Sequence, residues 1–174
     1  DKDSAEASEL LHMIGDFERI SDHAVNILES AEEMKEKGLV FSGAAQRELG
    51  VITGAVNEIL DLALSAFEHG DLASAALVEP LEQVVDTLKE QLRARHILRM
   101  QKGECSIEAG FVWSDLLTNL ERVADHCSNV AGCVIETSHR SLDLHGYIRD
   151  VKSGSREFIN NYNAFAQKYA LVGE

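Results

Sequence analysis

The sequence predicts an all-α protein, an antiparallel bundle of about five long helices. Three observations point there. Apolar residues recur in alternating steps of three and four through most of the chain, the period of one helix face. There is a single proline in 174 residues, and 45% of the residues are apolar but only 6% aromatic, which suits an aliphatic helical core. The breaks between periodic segments are short and marked by glycine, so long helices must fold back on one another.

In the first segment Leu10, Met13, Phe17, Ile20, Ala24, Ile27, Ala31 and Met34 form the seam, and Gly38 suits the stop. Ser42 caps a second helix whose seam is Leu49, Ile52, Val56, Ile59, Ala63 and Ala66, ending at Gly70. Asp71 restarts the chain. Pro80 lacks an N–H and its ring crowds the preceding turn, so a kink or a fresh first turn is expected there. Beyond it Leu81, Val84, Leu88 and Leu92 carry a third helix to Met100, and Gly103 breaks it. Trp113, Leu116, Leu120, Val123, Cys127, Val130 and Val134 form the fourth seam. After a turn at His139–Ser141, a last helix buries Leu144, Ile148, Val151, Phe158, Tyr162, Phe165 and Tyr169, with Ser155 its polar lapse.

A net charge of −14 argues against nucleic acid as a partner, because phosphates need neutralising by Lys and Arg. It also argues against direct docking on an anionic membrane surface. Acidity suits cations or basic partners, and it equally serves solubility. Cys105, Cys127 and Cys133 are odd in number and lack CxxC spacing, so neither a disulfide framework nor a zinc ribbon is expected, and a reducing compartment is. No apolar run approaches the roughly 20 residues that span a bilayer. The chain begins at Asp1 without a Met and reads as a fragment or a processed product.

One phrase is written twice. Glu18-Arg19-Ile20-Ser21-Asp22-His23-Ala24-Val25-Asn26 returns as Glu121-Arg122-Val123-Ala124-Asp125-His126-Cys127-Ser128-Asn129, with Glu, Arg, Asp, His and Asn at identical spacing. Polar residues that recur as faithfully as apolar ones suggest a duplicated site as well as a duplicated fold. On a helix, residues four apart share a face about 6 Å apart. Glu18/Asp22 and Glu121/Asp125 are therefore two-carboxylate claws of the kind hard cations prefer, with Asn26 and Asn129 one turn further along. With the apolar seam at heptad positions a and d, both claws fall at b and f, and so does a third pair, Glu82/Asp86. All three are expected on outward faces.

Solvated b and f positions attract Glu and Asp anyway, so one such pair means little. Like charges at i, i+4 are mildly destabilising without a counter-ion, however, and two of the pairs bring the same Arg, His and Asn. That favours ligation. His23 and His126 lie about 100° off the claws, where a supporting role or a contact to a neighbouring helix is expected. Arg19 and Arg122 balance the acidic cluster or hold a carboxylate. His96, Arg99 and the Gly103-Glu104-Cys105 turn read as interhelix packing, and Cys127 and Cys133 as small core residues. Glu9/His12 and Glu136/His139 match the Glu-x-x-His element of di-iron carboxylate bundles, but they are not equivalent in the repeat. No nucleophile constellation or phosphate loop is present in the sequence.

Asp16-Phe17-Glu18-Arg19-Ile20-Ser21-Asp22-His23 and Asn119-Leu120-Glu121-Arg122-Val123-Ala124-Asp125-His126 resemble the Glu/Asp-x-x-x-Asp motif of the PhoU family. The resemblance implies cytoplasmic three-helix-bundle repeats with a part in phosphate signalling, whose motifs bind multinuclear iron or zinc clusters on the outer bundle surface. Val85-Asp86-Thr87-Leu88 resembles the family's middle-helix motif. More narrowly, His96 to Met100, Gly103-Glu104-Cys105, Asp115 to Asn129 and the Leu144-His145-Tyr147 stretch are similar to the PhoU-like C-terminal domain of bacterial sodium/phosphate cotransporter family proteins.

That similarity implies one PhoU-like domain. Residues 1–38 are the motif helix of an incomplete first repeat whose middle helix would lie before Asp1, 42–139 a complete three-helix repeat, and 142–172 a C-terminal helix. The implied metal ligands are Glu18, Asp22, Glu82, Asp86, Glu121 and Asp125, backed by Arg19, His23, Asn26, Arg122, His126 and Asn129, with iron or zinc as the metal. The implied function is a non-catalytic regulatory domain of a sodium-dependent phosphate transporter at the cytoplasmic face of the membrane. Its partner is then the transmembrane domain of the same polypeptide, with a homo-oligomer left open. The alternatives are a free-standing PhoU-like accessory protein and a di-iron carboxylate enzyme.

Overall fold

A computed structural model describes residues 2–139 and 144–173, with side chains described for residue 4, residues 7–138 and residues 156–173. Among them there are five helices and no strand: α1 Lys2–Glu36, α2 Gly43–His69, α3 Leu72–Gln101, α4 Ile107–His139 and α5 Leu144–Lys168. The expected stops are present. The Ser42 hydroxyl accepts the N–H of Ala45 at 3.2 Å, and the Asp71 carboxylate accepts those of Ala73 and Ser74, both at 3.1 Å. These satisfy N–H groups that a helix start leaves open. Gly38 and Gly70 take φ of +63° and +62°, the left-handed turn that ends α1 and α2.

The core lies where α2, α3 and α4 meet. Ile52, Ile59, Leu81, Leu92, Trp113 and Leu117 are fully buried there. α1 lies along α4, and α5 along α3. Neighbours run antiparallel. Leu92 meets Trp113, Lys89 meets Glu121 and Glu79 meets Ser128 along α3 and α4, while Asp16 meets His126 and His23 meets Asn119 along α1 and α4.

Four expectations are corrected. α3 runs as one helix through Pro80, which is buried in the core, so of the two alternatives the fresh first turn is the one that falls. Ala76, whose carbonyl loses its bond to the missing N–H, is exposed, so water can satisfy it. The α1 seam is only half covered. Met13 is buried, but Leu10, Ala24 and Ala31 are exposed, because α1 rests mainly on α4 and meets α2 through the edge-to-face pair Phe17–Phe67. α2 is long and apolar enough to cross a bilayer, although no run of that kind stood out in the sequence; its acidic residues are few and spaced, and its apolar face is the core of the bundle. α5 ends at Lys168, and the next residues leave the helix while Tyr169 reaches back to Gly54 and Glu58 on α2. Phe165 is buried, and Phe158, Tyr162 and Tyr169 half-buried. The seam residues Leu144, Ile148 and Val151, with Ser155 and the His139–Ser141 turn, lie outside the described residues and side chains.

Candidate metal centre

The antiparallel pairing of α3 and α4 sets the two carboxylate pairs of these helices side by side. Glu82 reports the arrangement. Its pKa is raised to about 7, first by burial and then by the charges of Asp86, Glu79, Asp125 and Glu121. Asp86 is also raised, by burial and then by Glu121, against a lowering by Lys89. Glu82, Asp86, Glu121 and Asp125 thus form one electrostatic cluster on the α3–α4 surface. It is less outward than the heptad register predicts. Glu82 and Asp125 are half-buried, and the Glu121 side chain is only 16% exposed, while Asp86 stays exposed. α3 packs along this side of α4, and Lys89 reaches across to Glu121.

Two cations attend the cluster. Lys89 Nζ meets Glu121 Oε2 at 3.0 Å, and Arg122 Nη1 lies 3.9 Å from Asp125 Oδ2 at an exposed position. Ser128 Oγ donates to Glu79, one turn along α3 from Glu82. Among the described residues no three His, Cys, Asp or Glu side chains converge on one point as an ion's ligands would. The donor chemistry nevertheless suits a hard cation: burial and neighbouring carboxylates hold the Glu82 and Asp86 pKa values up, and a bound ion would relieve that repulsion. Taking one up requires Glu121 to exchange Lys89 for the metal.

The first-repeat claw is placed differently. Glu18, Arg19 and Asp22 are exposed on a face of α1 against which no described helix packs, so the structure does not bring Glu18 and Asp22 to the other four carboxylates.

The remaining repeated residues stitch α1 to α4. His23 Nδ1 and Asn26 Nδ2 donate to Asn119 Oδ1 at 2.9 and 3.1 Å, and His126 Nδ1 and Asn129 Nδ2 donate to Asp16 Oδ1 at 2.9 and 3.2 Å. Asp16 and Asn119 are themselves equivalent in the repeat. The two clamps are related by a pseudo-twofold axis passing between the His23 and His126 rings, which stack 5.6 Å apart. Of the two roles open to the histidines, the neighbouring-helix contact is the one seen. Of the Glu-x-x-His pairs, Glu9 bonds Thr137 and His12 bonds the Ser8 carbonyl at an exposed site; His139 lies outside the described side chains. Among the described residues they form no inward centre.

His96 and Arg99 pack between helices as expected, but sequence reasoning missed their anionic partner. Arg99 and Glu48, both buried, pair at 2.8 Å, and Arg95 adds a second cation to Glu48 at 3.1 Å. Trp113 lies under the Arg99 guanidinium, centroid distance 5.5 Å, and stacks with His96 at 5.2 Å. Burial, helped by the charge of Arg99, holds the His96 pKa below its usual value. The signal was available: Glu48 falls one turn before Ile52, on the buried stripe of α2.

The model of the family described as the PhoU domain matches residues 1–31 and 52–134. Among curated proteins, the phosphate-specific transport system accessory protein PhoU homolog 1 of Thermotoga maritima is 29% identical over 146 residues, 84% of this chain and 62% of that protein. The chain therefore spans less than two thirds of the length of the curated relative it matches. No solved structure matches significantly.

Proposed function

This chain belongs to the PhoU domain family, and on that premise we propose that it is a non-catalytic, metal-binding regulatory domain acting on phosphate uptake. In this reading it serves a sodium-dependent phosphate transporter from the cytoplasmic face of the membrane, with the transmembrane domain of the same polypeptide as partner. Glu82, Asp86, Glu121 and Asp125 hold iron or zinc, and Glu18 and Asp22 form the weaker half of a second site. The observation that carries the reading is the packing together of Glu82, Asp86, Glu121 and Asp125 on the α3–α4 surface, where burial first and then neighbouring carboxylates raise Glu82 to about 7. Such a site is built at the expense of the apo state and pulls in a cation. The name of the Thermotoga relative favours a second reading, a free-standing accessory protein of a phosphate transport system.

The test is metal-dependent stability in wild type and Asp125→Ala. A ligand that binds only the folded state stabilises it by about 2.7 kcal/mol at a hundred times its dissociation constant. For a chain of this size that is a rise in Tm of roughly 5–10 °C. Asp125→Ala should lose this rise while melting like wild type in chelator, because its side chain is 45% exposed and outside the core. A wild type that iron, zinc and manganese all leave unshifted ends the metal reading. In the intact gene product the same variant should alter control of phosphate flux.

A further inference from the structure

At the tip of the bundle, where α3 turns into α4, three soft donors face one gap. His96 and Met100 stand four apart on α3, hence on one face, and Cys105 lies in the turn. The turn holds Cys105 in place from both sides. Gly103 takes φ of +71°, and the N–H groups of Gly103 and Glu104 donate back to the Met100 and Arg99 carbonyls at 3.0 and 2.9 Å. Beyond it the Ser106 hydroxyl accepts the N–H of Ala109 at 3.1 Å and starts α4. Cys105 Sγ is thereby set 3.6 Å from His96 Nε2. His96 is only 3% exposed; among the described residues its Nδ1 has no hydrogen bond, and its Nε2 is aimed at the thiol. Met100 Sδ faces the same gap. A Cβ on Gly110 would stand 2.7 Å from that sulfur and 3.5 Å from His96 Nε2, so the glycine keeps the space open. The gap joins an apolar cleft of about 310 Å³ bordered by Ile97, Ile107, Phe111 and Trp113.

We propose that His96 Nε2, Met100 Sδ and Cys105 Sγ form a site for one soft monovalent cation, Cu(I). The spacing fits: with bonds of about 2.3 Å to sulfur and about 2.0 Å to nitrogen, donors 3.6 Å apart subtend roughly 115° at an ion, close to the trigonal angle. The donor set fits as well. Thiolate and thioether sulfur select Cu(I), whereas Zn²⁺ takes four ligands, and among the described residues no third His, Cys, Asp or Glu joins His96 and Cys105. Trp113, stacked 5.2 Å from the His96 ring, fixes the plane of the imidazole. Burial and the Arg99 charge hold the His96 pKa down, which keeps that imidazole neutral and free to ligate. Burial holds the Cys105 thiol up, which disfavours a free nucleophilic thiolate there. Cu(I) replaces the thiol proton: a Cu–S bond forms, the proton leaves to water and no electron moves. The copper thiolate is neutral, so it adds no charge beside the Arg99 guanidinium. Met100 and Cys105 are partly exposed, which gives the ion a way in.

The experiment is an anaerobic titration with Cu(I), kept reduced by ascorbate, in competition with bicinchoninate, and the copper shell is read by X-ray absorption. Wild type should take one Cu(I) per chain with one nitrogen and two sulfurs around it, releasing one proton. Cys105→Ser should weaken binding about 100-fold or more, and Met100→Leu about tenfold, because a thioether is the weaker donor. Cys133→Ser, a partly exposed thiol further along α4, is the control and should bind as wild type does. Unchanged helical content by circular dichroism separates lost ligation from a lost fold. A wild type that leaves its copper with bicinchoninate overturns the proposal. So does Cys105→Ser binding as tightly as wild type, or a copper shell without sulfur. Asp125→Ala should keep full Cu(I) binding, so these outcomes are distinct from a failure of iron or zinc binding at the carboxylates.

Discussion

Two titratable residues carry opposite lessons about burying charge. Glu82 is destabilised as an anion, so its folded pKa of about 7 lies above the unfolded value of 4.5. The folded state then holds the extra proton between those values, and stability from this group is complete below pH 4.5 and lost as pH rises through 7. Glu82→Gln removes that dependence. In chelator it should raise stability at pH 8, by on the order of 1 kcal/mol once solvent screening is allowed for, and leave it unchanged at pH 4.5. Melting curves at the two pH values check this. Glu48 is the reverse, an anion held between two cations. Glu48→Ala removes the buried anion that pairs with Arg99 and Arg95 and should cost about 3 kcal/mol or more, whereas Glu48→Leu combined with Arg99→Met should recover much of that. Chemical denaturation of the single and double variants measures the difference.

At the scale of elements, the question is what fixes the register of α1 on α4. The apolar stripe of α1 is too exposed to set it alone, and the duplicated clamps supply the missing specificity. Asn119→Ala removes the shared acceptor of His23 and Asn26 and should cost about 1–2 kcal/mol, while Asp16→Asn keeps an acceptor for His126 and Asn129 and should cost less. Denaturant midpoints give the order. The helices themselves were legible in the sequence because cap residues and three–four spacing are local signals: Ser42, Gly70 and Asp71 stand where they were expected. No fresh turn opens at Pro80 because the local penalty is outweighed by tertiary burial, which no window of sequence contains. The exposed half of the α1 seam was misread for a related reason. Periodicity shows that a face is apolar, but not whether another helix covers it.

The whole molecule is a three-helix unit, α2 to α4, with α1 and α5 laid on its outside. Family and fold could be read from the repeated phrase and the helical periodicity; the direction of successive helices sets Glu82 and Asp86 beside Glu121 and Asp125, but their partial burial did not follow from the heptad register. Lys89 against Glu121 could not, since it depends on the axial offset between two helices. Nor could the ring stack of His23 on His126, which depends on the pseudo-twofold axis. The C-terminal segment ties across these elements: the Val172 carbonyl accepts from Arg95 Nη1 at 3.1 Å, and Tyr169 reaches Glu58.

The two clamps also dictate an order of assembly. Each joins residues 93 to 113 positions apart, so α1 cannot find its seat until α4 is made, and closing so long a loop is costly in entropy. α2, α3 and α4, by contrast, meet through successive short turns. The expected folding nucleus is therefore α2–α4, with α1 arriving after the main barrier. In stopped-flow refolding, Asn119→Ala should accelerate unfolding and leave the folding rate nearly untouched, a φ-value near zero. Native-state hydrogen exchange should show the amides of α1 opening at lower free energy than those of α3, a late-arriving helix that is also the first to leave.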